Sequence, residues 1–172
     1  MMRYKLSLAT FSWLLMAAQV ATYGSWIVDE RSNEVTGTRT MSSKAGEYVE
    51  SGGFRTLQNY FGLRCDVKGD SKNLIFIFGV DEPVAEPGSD ITIVVKVDND
   101  PPINVTGKTF SGSDNSGYAR YLSLMHRELL DQLKAGNRAT VQVRSPLSRV
   151  NYAVSLVGFT AANERILEMC RK

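Results

Sequence analysis

The chain has 172 residues, of which 43% are hydrophobic and 22% charged, with 14 Gly and 5 Pro; this is the composition of one ordinary globular domain and excludes a disordered chain or a fibrous repeat. Its formal net charge is +2, and setting aside Arg3 and Lys5 from the 20 basic residues leaves 18 against 18 acidic ones, which excludes the strongly basic footprint of a nucleic-acid binder. One His and two Cys are too few for the usual zinc sites.

Residues 1–5 carry two positive charges and no acid, and residues 6–20 (LSLATFSWLLMAAQV) form a 15-residue stretch without a charge. That stretch is short for a membrane span, which needs ~20 residues. Small or neutral residues follow, Ala21-Thr22-Tyr23-Gly24. This is the layout of a secretory signal peptide. The expected division is a leader over 1–24 and a single exported domain over 25–172, with the cut after Gly24 or a few residues earlier. The expected location is the periplasm, with no stable membrane insertion after cleavage; the alternatives are a secreted protein or one anchored by an uncleaved leader. No Cys follows the apolar stretch to take a lipid.

The 148 residues that remain can bury ~68–70% of their unfolded surface. Residues 26–28 begin a strand, and 34–42 (EVTGTRTMS) alternate as a half-solvated strand does. Residues 44–53 are polar and Gly-rich and are expected to be a connecting loop. Two short apolar segments follow at 54–57 and 61–67. Residues 73–79 (NLIFIFG) form a continuous apolar run suited to a central strand buried on both faces, and 90–97 (DITIVVKV) form a second such run, rich in β-branched residues. Between them, 80–89 hold two Pro and three acids and mark a surface loop.

Pro101-Pro102 ends the second run, 103–105 resume a strand, and 107–117 read as a loop. Tyr118, Leu122, Met125, Leu129 and Leu133 follow 4-3-4-4 spacing, which predicts a helix over 118–134 stopped by Gly136-Asn137. Strands are expected at 138–144 (RATVQVR) and 152–159 (YAVSLVGF), joined by a turn. A last helix over 160–170 is expected to be capped by Thr160, with Ala162, Ile166, Met169 and Cys170 facing inward. Cys65 and Cys170, the sole cysteines of an exported chain, are read as a disulfide rather than two buried thiols. It would close a loop of about 100 residues, worth ~4.7 kcal/mol in the chain-entropy picture. The fold class is α+β: a mostly antiparallel β-sheet with one central helix and a C-terminal helix, tied by one disulfide.

Chemistry is sparse. No G-x-S-x-G, phosphate loop or H-E-x-x-H occurs. His126 reads as structural or surface-lying. Asp98-Asn99-Asp100 is the best local set of hard oxygen ligands for calcium, but it lacks the EF-hand spacing. Lys134, Arg138, Arg144 and Arg149 read as solvated strand edges, or as a small patch for an acidic partner or anionic glycan. Asn104-Val105-Thr106 fits the glycosylation acceptor pattern. The expectation is no catalytic residue, no metal and no cofactor; Cys65 and Cys170 are the assignable pair, and the partner-binding surface is unassigned.

Several segments recur in a familiar order. Trp26 opens the domain, Glu30-Arg31-Ser32-Asn33 and Thr36-Gly37-Thr38 follow, then Leu63-Arg64-Cys65, Val97-Asp98-Asn99-Asp100 and the 118–134 segment, and the chain closes with Val157-Gly158-Phe159-Thr160-Ala161-Ala162 and Cys170. That order resembles the VasI-like (TagO-like) family of periplasmic proteins associated with type VI secretion. The resemblance implies a non-enzymatic accessory or adaptor that binds protein partners in the cell envelope, and it supplies no catalytic residues. A second expectation is an inhibitor or immunity-type protein that blocks a wall hydrolase or effector through a protruding loop at 80–89 or 111–117. A third is an enzyme on envelope glycans, which would need a carboxylate pair such as Asp98 with Asp114.

Overall fold

A computed structural model of the chain describes residues 19–51, 53–110, 119–124, 126–146 and 148–171. In chain order the elements are β1 (Gln19–Tyr23), β2 (Trp26–Asn33), β3 (Thr38–Ser51), β4 (Phe54–Lys68), β5 (Ser71–Val80), β6 (Asp90–Val97), β7 (Ile103–Phe110), β8 (Ala119–Leu124), α1 (Arg127–Ala135), β9 (Arg138–Arg144), β10 (Arg149–Ser155) and α2 (Phe159–Arg171). The ten strands form one ladder in the order β1-β2-β3-β4-β5-β8-β7-β6-β9-β10, with every pairing antiparallel. The fold is mostly β and belongs to the α+β class.

The ladder folds back on itself, so that β10 lies against β3 and β4. Two long-range hydrogen bonds close it. The Tyr152 hydroxyl donates to the Tyr60 carbonyl at 2.7 Å, and the Trp26 indole Nε1–H donates to the Ser155 carbonyl at 3.1 Å. Between the layers sits a core led by Trp26, Phe61, Phe76, Phe78 and Phe159, all essentially solvent-free. Trp26 meets Phe159 edge-on with ring centroids 4.9 Å apart and Phe61 at 6.0 Å, a favoured arrangement for aromatic quadrupoles. Replacing Tyr152 by Phe removes a buried hydrogen bond to the Tyr60 carbonyl. We expect a loss of about 1–3 kcal/mol in chemical denaturation, against near-zero for an exposed change such as Asn151→Ala.

Period-2 patterning placed β9 residue for residue and found the buried face of β10, which begins at Arg149 rather than Tyr152, because a half-buried strand must alternate. β9 and β10 bury Ala139, Val141, Val143 and Val150, Tyr152, Val154 on one face. The apolar run in β5 is central, as read: Phe76 and Phe78 enter the main core, while Ile75 and Ile77 pack with Tyr60 and Leu57 on the opposite face. β6 departs from the expectation of burial on both faces. It alternates, hiding Ile91, Ile93, Val95 and Val97 while Thr92, Val94 and Lys96 face outward.

Residues 34–37, expected as strand, turn between β2 and β3, and 107–110, expected as loop, complete β7. Three larger expectations are corrected. Residues 44–53 are not a loop: β3 runs on to Ser51 against a single long β4 that takes in both 54–57 and 61–67. A register shift between Gly46 and Tyr48 lets the polar stretch stay in the ladder, as β-bulges do. Second, no helix spans 118–134. Residues 119–124 are strand β8, inserted between β5 and β7, and only 127–135 are helical; Tyr118 and Met125 lie outside the described residues. The apolar β5 needs a partner on each edge, and that tertiary demand outweighs a local helical period. The helix expected to be central is thus a nine-residue element late in the chain. Third, β10 ends at Ser155, and α2 begins at Phe159 directly after the Leu156–Gly158 turn. Thr160 is an exposed residue inside α2 and caps nothing.

Candidate functional site: a basic cleft beside the disulfide

The site grows out of how the two helices are held. α1 buries Leu129, Leu130 and Leu133, and its N-terminus is capped by His126, whose Nδ1 accepts from the Leu129 N–H at 3.4 Å. The histidine expected in mid-helix is therefore an N-cap that satisfies an orphan backbone donor. α2 docks on the sheet through Phe159, Ala162, Ile166 and Leu167. It is also keyed by the fully buried Asn163: the Ser43 hydroxyl donates to its Oδ1, and its Nδ2 donates to the Phe159 carbonyl at 2.8 Å. The far end of α2 is fastened by a Cys65–Cys170 disulfide to β4, with the Cα atoms 5.9 Å apart.

Fastening α2 there brings its last turn beside α1 and the start of β5. The three elements enclose a cleft of about 540 Å³ lined by Lys72 and Leu74, by Arg127, Leu130, Asp131 and Lys134, and by Leu167, Cys170 and Arg171. Leu130 and Leu167 are buried and Leu74 and Cys170 half-buried, so the floor is apolar. Four cations, Lys72, Arg127, Lys134 and Arg171, face a single acid, Asp131, around it. Among the described residues none of these cations forms an ion pair. A neighbouring groove of about 400 Å³ shares Lys72 but differs in kind. Its Arg39 and Arg165 are both taken by Glu30, with Arg39 Nε 2.6 Å from Oε1 and Arg165 Nη2 3.2 Å from Oε2. The first cleft thus combines uncommitted positive charge with an apolar floor.

Of the predicted basic patch, only Lys134 lies in this cleft. Arg144 lines a shallow groove with Asp90 and Pro146, while Arg138 and Arg149 are exposed on β9 and β10. Lys72, Arg127 and Arg171 belong to no motif in the sequence; the adjacency of Arg171 to Cys170 is the one pointer to them. Asn104 is exposed on β7, opposite Val94.

Asp98 has a structural duty. Its backbone sits at φ +43°, and its carboxylate accepts from the Asn137 N–H at 2.8 Å and the Arg138 N–H at 3.0 Å. Both oxygens are thus engaged in fixing the α1–β9 turn, and among the described residues no three His, Cys, Asp or Glu side chains gather as a metal site requires. Asp114, its suggested partner in a carboxylate pair, lies outside the described residues. Asp98→Ala is expected to cost about 1–3 kcal/mol in thermal or urea unfolding, since it deletes two bonds to a charged acceptor and places Ala in the left-handed region.

The fold and cleft together define a class: a disulfide-tied, mostly antiparallel domain that presents a ligand-sized basic cleft between its two helices. Comparison with known proteins agrees with the fold. Residues 89–167, from the start of β6 into α2, match the model of the family described as invasion associated locus B (IalB) protein. The chain is also similar to the crystal structure of invasion associated protein B from Bartonella henselae, with 15% sequence identity, 90% of this chain and 98% of that chain covered, and a TM-score of 0.56. At that identity the likeness is one of fold. No curated protein matches the chain.

These findings overturn the resemblance to the VasI-like family and, with it, the link to type VI secretion. The residues that carried it are packing residues. Leu63 and Cys65 are buried in β4, and Val157-Gly158-Phe159 form the turn into α2. Such positions report a buried strand, a disulfide and a helix start, which unrelated exported domains can share.

Proposed function

We propose that the protein is an exported envelope protein of the invasion-associated kind that works by binding, with the basic cleft as the docking surface for an acidic segment of a protein partner. The observation that carries this reading is the cleft itself: four uncommitted cations against one acid over an apolar floor. Export is supported by the basic start and uncharged apolar run of residues 1–20 and by a disulfide that needs an oxidising compartment. No helix among the described residues is long and apolar enough to cross a membrane. A binding role without catalysis is supported by the engagement of His126 as a cap and of Asp98 as a turn clamp.

The inhibitor reading gains no support from the 80–89 loop. Val84 is buried in the core, and the Thr109 hydroxyl donates to the Glu86 carbonyl at 2.6 Å while accepting from the Ser89 N–H at 2.9 Å. That loop is pinned to the sheet rather than protruding. The 111–117 loop lies outside the described residues.

A titration tests the binding reading. A polyglutamate peptide should bind the purified protein, and raised salt should weaken binding because exposed charges are screened over ~8–10 Å. A variant with Lys72, Arg127, Lys134 and Arg171 changed to Glu should lose that binding while its folding stability shifts little, since most of these side chains are solvated. Equal binding by both proteins would remove the cleft as the docking surface.

A further inference from the structure

We propose that the cut removing the leader falls N-terminal to Gln19, next to the small pair Ala17-Ala18, so that the mature protein keeps Gln19–Tyr23 as strand β1. The inference rests on the export reading above and moves the cleavage upstream of the site after Gly24. The chemistry is hydrolysis of one peptide bond by an envelope peptidase, with one water consumed; the leader leaves with a new carboxylate and the mature chain begins with a new amine.

Three observations carry it. All five residues of β1 pair with β2, from Gln19 opposite Glu30 to Tyr23 opposite Trp26. Tyr23 packs against the main core, and β1 as a whole touches α2. The turn after β1 is fitted to the far end of the chain at backbone level. Gly24 adopts φ +57°, and a Cβ there would lie 2.6 Å from the Val157 carbonyl oxygen; Gly158 adopts φ +90°, and its Cβ would lie 2.1 Å from the Tyr23 carbonyl oxygen. Glycine at both positions lets the two backbones meet, and the Ser25 N–H donates across that contact to the Val157 carbonyl at 3.3 Å. A cut after Gly24 would remove a core-packing tyrosine and leave β2 as an open edge beside the Trp26 anchor.

The test is the intact mass and N-terminal peptide of the full chain, expressed with its own leader and recovered from the envelope of a bacterial host. Mass spectrometry suits it better than stepwise degradation, because an N-terminal Gln cyclises with loss of ammonia. A mature chain starting at Gln19 or just upstream, heavier than the alternative by the six residues 19–24, is the expected result. A start at Ser25, or anywhere within 20–25, overturns the inference and leaves the export reading standing. A full-length chain still carrying Met1 and held in the cytoplasm overturns both.

Discussion

Changing Cys65 and Cys170 together to Ala is expected to lower the unfolding free energy by up to about 4.7 kcal/mol, a drop of roughly 10–20 °C in Tm for a domain of this size. The bridge joins residues 105 apart in sequence, so its loss frees a large loop in the unfolded chain. Cys65 is fully buried, and Ala is chosen because Ser would add an unpaired hydroxyl at that position. The check is thermal unfolding of the double variant beside the wild type with and without reductant. The variant should be insensitive to reductant, and the reduced wild type should approach it. The same change should weaken binding at the cleft, because Leu167, Cys170 and Arg171 are held over α1 by that bond. A bridge that did no structural work would leave Tm within a degree or two of the wild type.

Trp26→Ala is expected to cost about 3–5 kcal/mol, the range for deleting a large buried aromatic. Trp26 is completely buried, contacts both Phe61 and Phe159, and ties β2 to β10 through its indole N–H. Trp26→Phe separates these contributions. It keeps an aromatic ring in place but strands the Ser155 carbonyl, for an expected loss of about 1–3 kcal/mol. Urea unfolding reads both, and an unchanged slope with denaturant would confirm that stability rather than compactness has changed.

How much of this was legible depends on what set each element. β9 was bounded correctly because its alternating burial is local information, readable residue by residue, and β6 because its β-branched run is bounded by turn residues, although its alternation was not read. The helical segment around Ile166 and the pairing of Cys65 with Cys170 were also readable, the first from its apolar stripe and the second from there being two cysteines behind a leader-like N-terminal pattern. The failures share a cause. The helical spacing of Leu122, Leu129 and Leu133 is real, but residues 119–124 are claimed by the open edge of β5, a demand made by residues about 45 positions away. Residues 44–51 are polar enough to look like a loop, yet they continue a strand whose partner, β4, was itself split in two by its polar middle.

The cleft was less legible than the fold. Its cations come from β5, α1 and α2, and no window of sequence holds more than two of them close together. The basic stretch that did stand out, Lys134 to Arg149, owes its prominence to clustering along the chain. In space only Lys134 of that group reaches the cleft. Asp98 misled for a related reason: an acid beside Asn99 and Asp100 looks like a cation ligand, whereas its carboxylate serves two backbone N–H groups 39 and 40 residues further on.

The measurement that bears most directly on the cleft as a docking surface is photo-crosslinking in the native host. A photoreactive residue at Lys134, in the cleft wall, is compared with one at Asn151, exposed on β10 and away from it. A docking role for the cleft predicts discrete adducts with an envelope protein from position 134, few from 151, and their loss when Lys72, Arg127 and Arg171 are changed to Glu. Adducts of equal yield from both positions, or adducts indifferent to the charge changes, would contradict it.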